Sequence, residues 1–373
     1  MKDQPQEIPT GRETITHDFN GLQAGRAFAA LVVLLFHANA VLALPKYIGK
    51  DLYPILHAGS SGVHFFFVLS GFIIFYIHRC ELGQPKYVGS FIRKRVSRLI
   101  PALWATLALV LTSYLVWPSL NTNPNLTVLD VASAFLLLPA AREPLLIVEW
   151  TLRHEVLFYA LFALIIASKR VGGSILALWM ALSILIPLVQ PNFPTSFVFS
   201  EYHALFGMGV VVAICFERRW IRFPRTTLLG GTLAFSIIWI LRASEKEGGI
   251  LINLAFGLAA AAIIAGLTEI ERFGPIRLSK ALTFLGNASY SIYLIHFLAV
   301  SAASKFVIVL LRFVTLPDTL CFFFVTGFAL LAGTCFHVWI ERPLTSGAKV
   351  LLGRGKTKVR PDMPAPSATR SLR

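Results

Sequence analysis

Stretches of roughly twenty apolar residues, each bounded by a short polar segment, recur along most of the chain. That is the length a helix needs to cross the hydrocarbon layer of a bilayer. Ten windows fit, near 24–44, 57–78, 99–117, 146–168, 173–190, 200–216, 226–241, 249–268, 281–302 and 319–340, and they predict an all-α, polytopic membrane protein. Val131–Pro139 is apolar but too short to cross, and reads as a re-entrant or interfacial piece. The pattern divides the chain into a polar N-terminal tail (1–20), a membrane domain (21–343) and a disordered tail (344–373). The last is rich in Lys, Arg, Pro and Ser, and is expected to lie near anionic lipid. No internal repeat is visible, which weakens an inverted-repeat transporter reading.

Composition agrees: 56% of the 373 residues are hydrophobic and only 14% charged, far too apolar for a soluble fold of this size. The net charge of +15 does not point to nucleic acid, because the basic residues are dealt out between spans and not gathered on one face. With the N-terminus in the cytoplasm, most of the 34 Lys and Arg fall in inside segments. The outside segments hold Lys46, Lys50, Arg142, Arg242, Lys246, Lys305 and Arg312. The positive-inside rule therefore places both ends in the cytoplasm. Ala38-Asn39-Ala40 has the form of a signal-peptidase site, but the leader before it is long and acidic as well as basic, so the first span is expected to be retained. None of the four cysteines is placed for a disulfide, and no CxxC, HExxH, EF-hand or phosphate-loop pattern argues for a metal or a nucleotide fold.

Polar residues inside the spans carry the candidate chemistry, since titratable groups are costly at membrane depth. Arg26 and His37 share the first span, AGRAFAALVVLLFHANAVLAL. Eleven residues make about three turns, so the two face one way, about 16 Å apart. Taken alone, Arg26 also fits a snorkelling anchor and His37 a packed core histidine. In FIRKRVSRLIPALW, the run Arg93, Lys94, Arg95 and Arg98 fits an ordinary positive-inside cluster. Equally, it fits a guanidinium ring with Arg26 for a phosphate-rich ligand. The second span holds His64 in its outer half and Ser70-Gly71 as a close-approach point. The fourth begins Glu149-Trp150-Thr151-Leu152-Arg153-His154-Glu155. Its purely apolar remainder is too short to cross, so this polar end must be enclosed by protein or wet. Glu149 and Arg153 are spaced to pair. Glu155, between Thr151 and Tyr159 on its face, has no helical cation and is either satisfied by another span or orienting a histidine. In the ninth span Ser289, Tyr293 and His296 share a face, where they would bridge helices or line a groove. His203 and His337 receive no role.

These motifs, in this order, resemble the acyltransferase-3 family of integral membrane acyltransferases, especially stand-alone members that acetylate bacterial exopolysaccharide or O-antigen sugars. The likeness runs from about Gly21 to Pro343. It rests on LQAGRAFAALVVLLFHA, GVHFFFVLSGF at 62–72, RKRVSRLIP at 93–101, EWTLRHEVLFY at 149–159, LGNASYSIYLIH at 285–296 and Glu341-Arg342-Pro343. The resemblance implies that Arg26 and His37 are essential to acyl transfer. It also implies that Arg95 and Arg98 form an Arg-x-x-Arg site for acyl-coenzyme A, with Arg93 beside them, and that Glu155 belongs to the polar centre. His64 departs from an acidic residue common in relatives, and Arg153-His154 is a more charged pair than usual. His64, Ser70, Tyr159, Tyr293 and His296 are the candidates for contact with substrate.

The resemblance leads to the expectation of a multi-pass acyltransferase of the bacterial inner membrane. It would use acetyl-coenzyme A as donor, no metal, and a lipid-linked or surface glycan as acceptor, with membrane lipids and separate polysaccharide-assembly proteins as its other partners. His37 would act as general base with a carboxylate such as Glu155 holding the imidazolium, or as a nucleophile forming acetyl-histidine. The competing expectation is a flippase for a polysaccharide intermediate, its buried charges forming a proton relay.

Overall fold

The computed structural model describes residues 19–116, 118, 125–243 and 249–353. Among these there are α-helices and shorter helical turns, and no strand. The helices are α1 (Asn20–Leu42), α2 (Gly62–His78), α3 (Val88–Val116), α4 (Val128–Leu136), α5 (Glu149–Ala167), α6 (Lys169–Leu185) and α7 (Thr195–Val198). They continue with α8 (Tyr202–Glu217), α9 (Pro224–Ala243), α10 (Ile250–Glu271), α11 (Lys280–Leu310), α12 (Asp318–Phe336) and α13 (Arg342–Gly353). Ten segments of the described residues are long and apolar enough to cross a membrane, matching the ten windows in the sequence.

Their boundaries differ where charge interrupted the apolar pattern. The third crossing segment is helical from Pro85, well before the expected residue 99, because the arginines of FIRKRVSR wind directly into the apolar part. The last runs from Asp318 through a five-residue π-helical turn, His337–Glu341, into α13. Residues 344–353, expected to begin a disordered tail, are thus helical. The remaining tail residues, 1–18 and 354–373, lie outside the described residues. The short apolar piece is α4, nine residues long and about 13 Å, which cannot cross. A reciprocal Thr127–Asp130 cap starts it, and the Thr127 hydrogen bonds, assisted by Arg142, hold the Asp130 carboxyl below its ordinary range.

The centre of the bundle is built from the helices that carry polar residues. α2 packs along α8, α1 along α11, and α11 along α12. In α2 12 of 17 residues are buried, against 2 of 20 in α9, where Leu229, Leu233, Ile237, Ile240 and Leu241 are exposed. Two glycines allow the α2–α8 contact. A Cβ on Gly71 would strike the carbonyl oxygen of Phe206, and one on Gly209 that of Val68, so the two backbones touch directly.

The start of α1 is fixed by Glu271, whose carboxylate accepts from the Gly21 amide at 3.0 and 3.1 Å. The end of α12 is fixed by Glu341, which accepts from Ser291 Oγ at 2.5 Å and from His337 Nδ1 at 2.6 Å, while Arg342 Nε donates to His337 Nε2 at 3.1 Å. His337, given no role from sequence, therefore helps lock the Glu-Arg-Pro motif against α11.

Candidate active site

Two cavities occupy the middle of the bundle. The first, of about 110 Å³, is lined by Arg26 of α1, Ser70 of α2, Arg95 and Arg98 of α3, and Glu155 and Tyr159 of α5. Arg26 is turned inward, with Nε donating to Ser289 Oγ at 3.2 Å. Glu155 accepts from Ser70 Oγ at 3.3 Å and from the Tyr159 hydroxyl. Three guanidinium groups thus share a wall with one carboxylate, an excess of positive charge whose chemistry suits an anion.

Arg95 is held from two sides. Its guanidinium lies 5.8 Å from the Tyr159 ring centre and 5.7 Å from that of Phe91. Its Nη2 donates to His78 Nε2 at 3.2 Å, and His78 in turn donates from Nδ1 to Glu81 at 2.6 Å. The carboxylate fixes the proton on Nδ1 and leaves Nε2 free to accept. His78 and Glu81 were not singled out in the sequence, although their i, i+3 spacing at the end of the second span was a signal that they could pair. Arg93 is not part of this wall. It is exposed, because two helical residues from Arg95 correspond to a turn of about 200°.

The second cavity, of about 210 Å³, lies toward the other end of α1 and is lined by His37, His64, Trp150, Tyr202, Arg242 and Asn253, among others. The hydrogen-bond network sets the tautomer of His37. His296 Nδ1 is 2.7 Å from the Tyr293 carbonyl oxygen, so it carries the proton and Nε2 presents a lone pair. That Nε2 is 3.1 Å from His37 Nδ1, which is also 2.9 Å from the Val33 carbonyl oxygen. Facing two acceptors, His37 Nδ1 must be the protonated nitrogen. The neutral ring therefore keeps its basic lone pair on Nε2.

Val63 and Tyr293 line both cavities and make the septum, the narrow place where the two meet. The Tyr293 hydroxyl is anchored 3.0 Å from Thr151 Oγ1 and 3.4 Å from the Val148 carbonyl oxygen. The face of α11 read from the sequence therefore does both things proposed for it. Ser289 meets Arg26, Tyr293 lines both cavities and His296 supports His37.

One expected contact is absent. Glu155 does not hold His37; its bonds go to Ser70 and Tyr159 on the first cavity, and the place of a carboxylate behind His37 is taken by His296. The rest of the polar end of α5 is enclosed by protein, as its length required. Glu149 and Arg153 form a buried ion pair within the helix. His154 Nδ1 sits 3.0 Å from His203 Nε2 and its ring stacks on Phe197, in the seam with α8 and outside both cavities.

A family model described as an acyltransferase domain matches residues 19–339, which include both cavities. The chain is 28% identical over 305 residues to the exopolysaccharide production protein ExoZ of Rhizobium meliloti (strain 1021), covering 77% of this chain and 89% of that protein. It is 22% identical over 286 residues to "Putative acetyltransferase ORF330" of Acidianus two-tailed virus, covering 73% of this chain and 81% of that one. No solved structure matches it.

Proposed function

This chain belongs to the acyltransferase-3 family and is a membrane acyltransferase, and from that premise we propose that it carries an acetyl group from cytoplasmic acetyl-coenzyme A to a hydroxyl of a surface polysaccharide or its lipid-linked precursor. The basic loops face the cytoplasm of a bacterial inner membrane. The first cavity then opens toward the donor. Arg26, Arg95 and Arg98 hold the phosphates of coenzyme A, and the pantetheine arm brings the thioester to the septum. The acceptor enters the second cavity from the opposite side.

His37 Nε2 takes the proton of the acceptor hydroxyl as that oxygen attacks the thioester carbonyl. The C–S bond breaks, an ester forms, and coenzyme A leaves as the thiolate, which takes up a proton. As the imidazolium forms, His296 Nε2 and the Val33 carbonyl keep their hydrogen bonds to Nδ1–H and hold the ring in place. The observation that carries the reading is an unprotonated imidazole nitrogen at the acceptor-side cavity, one septum away from three guanidinium groups. The name of the Rhizobium relative, an exopolysaccharide production protein, supports a polysaccharide acceptor.

The test is a deletion strain complemented with variants, read out by acetyl content of its surface polysaccharide and by thiol release from acetyl-coenzyme A in isolated membranes. Wild type restores both. His37→Ala reduces both to background at normal membrane abundance, consistent with a general-base contribution of about 10²–10⁴-fold. Arg95→Ala and Arg98→Ala raise the KM for acetyl-coenzyme A. Full acetylation by His37→Ala overturns the reading. Labelled acetyl retained on wild-type protein without acceptor, and lost in His37→Ala, moves His37 from base to nucleophile.

A further inference from the structure

The second cavity has a wall chemistry that the transfer step alone does not require. Trp150 of α5 and Tyr202 of α8 meet at 4.9 Å between ring centres, with an interplanar angle of 54°. Phe36 and Phe256 add further aromatic surface. Polar groups accompany these rings, and their orientation is determined. Asn253 Nδ2 donates to Glu201 at 3.0 Å, which turns Oδ1 toward His64. His64 Nε2 lies 2.9 Å from that oxygen and must therefore be the donor. The relay His64–Asn253–Glu201 joins α2, α10 and the entry to α8 into one rigid side of the cavity.

Two donors in this wall are unspent. The indole N–H of Trp150 and the hydroxyl of Tyr202 make no protein hydrogen bond among the described residues, and both half-buried residues line the cavity. Buried Trp and Tyr ordinarily pair their polar atoms with protein. Two unpaired donors beside aromatic faces suit a ligand that is apolar on one face and rich in hydroxyls at its edge.

We propose that the second cavity is a sugar-binding site. It takes a pyranose ring whose C–H face lies on Trp150 and Tyr202 and whose hydroxyls accept from Trp150 Nε1 and Tyr202 Oη. The rigid His64–Asn253–Glu201 wall limits the ring's position, so that one hydroxyl is presented to His37 Nε2. This deepens the acyltransfer reading and rests on it for the role of His37. The fit of a sugar to the cavity does not depend on that role. A pocket lined by aromatic surface with a few fixed polar groups sets orientation through those groups, so this wall, and not the catalytic histidine, selects which hydroxyl is acylated.

The experiment uses oligosaccharides made by de-esterifying the host strain's own surface polysaccharide, with full-length protein in nanodiscs. Binding is measured by saturation-transfer NMR on the His37→Ala protein, which retains the cavity and cannot turn over. His37→Ala binds the oligosaccharide. Adding Trp150→Phe or Tyr202→Phe, each of which keeps a ring and removes a donor, weakens binding by roughly fivefold, while the Kd for acetyl-coenzyme A stays unchanged. In the His37 background the same variants raise the oligosaccharide KM and leave that of the donor alone. No oligosaccharide binding to His37→Ala, or unchanged affinity in both donor-deleted variants, overturns the proposal. Oligosaccharide that binds in this pattern but is never acylated by wild type upholds the sugar site and overturns the acyltransfer reading.

Discussion

His37 and His296 form a pair in which one imidazole accepts from the other, and the backbone carbonyl of Tyr293 sets the direction of that bond by fixing the proton on His296 Nδ1. A neutral acceptor stabilises an imidazolium less than a carboxylate would, but it fixes the tautomer equally well. The expected outcome is that His296→Phe lowers kcat by roughly 10²-fold with little change in either KM, because His37 loses its orienting acceptor. His296→Gln, whose amide oxygen can accept, recovers part of the rate. Steady-state kinetics on both variants checks this, since a purely packing role would favour the aromatic replacement. This pairing was not legible in the sequence. Helical phase shows which residues of one helix share a face, and so it correctly gave Glu149–Arg153 and the Ser289–Tyr293–His296 row. It does not say which face of α11 meets which face of α1, across 259 positions, and Glu155 was the nearer guess for a histidine's partner only because carboxylates commonly fill that place.

Among the helices, the α2–α8 crossing is the contact with least room. Gly71 and Gly209 each face a carbonyl oxygen of the other helix, and α2 carries Ser70 and His64 while α8 carries Tyr202. Gly209→Val must push the helices apart, at a cost of at least about 1–3 kcal/mol. It is expected to lower the melting temperature in detergent and to loosen both cavities together. Gly230→Val, on the peripheral α9 with nothing near its Cβ direction, is the control and leaves melting unchanged. The number and order of the crossing helices were readable in advance because hydropathy directly reports the bilayer. Helix ends were less so: the sequence windows stopped at charges, whereas the backbone continues through Arg93–Arg98 and on to Gly353. The Ser70-Gly71 close approach was anticipated; its partner Gly209 was not, because small residues mark an interface without naming the helix opposite.

Across the whole molecule, two cavities approach from opposite ends and share Val63 and Tyr293 in their linings. Tyr293 is tied to Thr151 and Val148 of the α5 region, so the septum belongs to the same rigid core as both sites. That narrow meeting point has an electrical consequence. A potential of 100 mV is worth about 2.3 kcal/mol per elementary charge, and an unbroken file of water from one aqueous compartment to the other would let protons run down it. On the proposed reading, an aromatic ring that narrows the meeting point of the chambers leaves room for the acceptor oxygen to reach the thioester while excluding a continuous file of water. Liposomes containing Tyr293→Ala and a trapped pH dye are expected to lose an imposed proton gradient faster than wild type, whereas Tyr293→Phe, with the ring retained, stays tight.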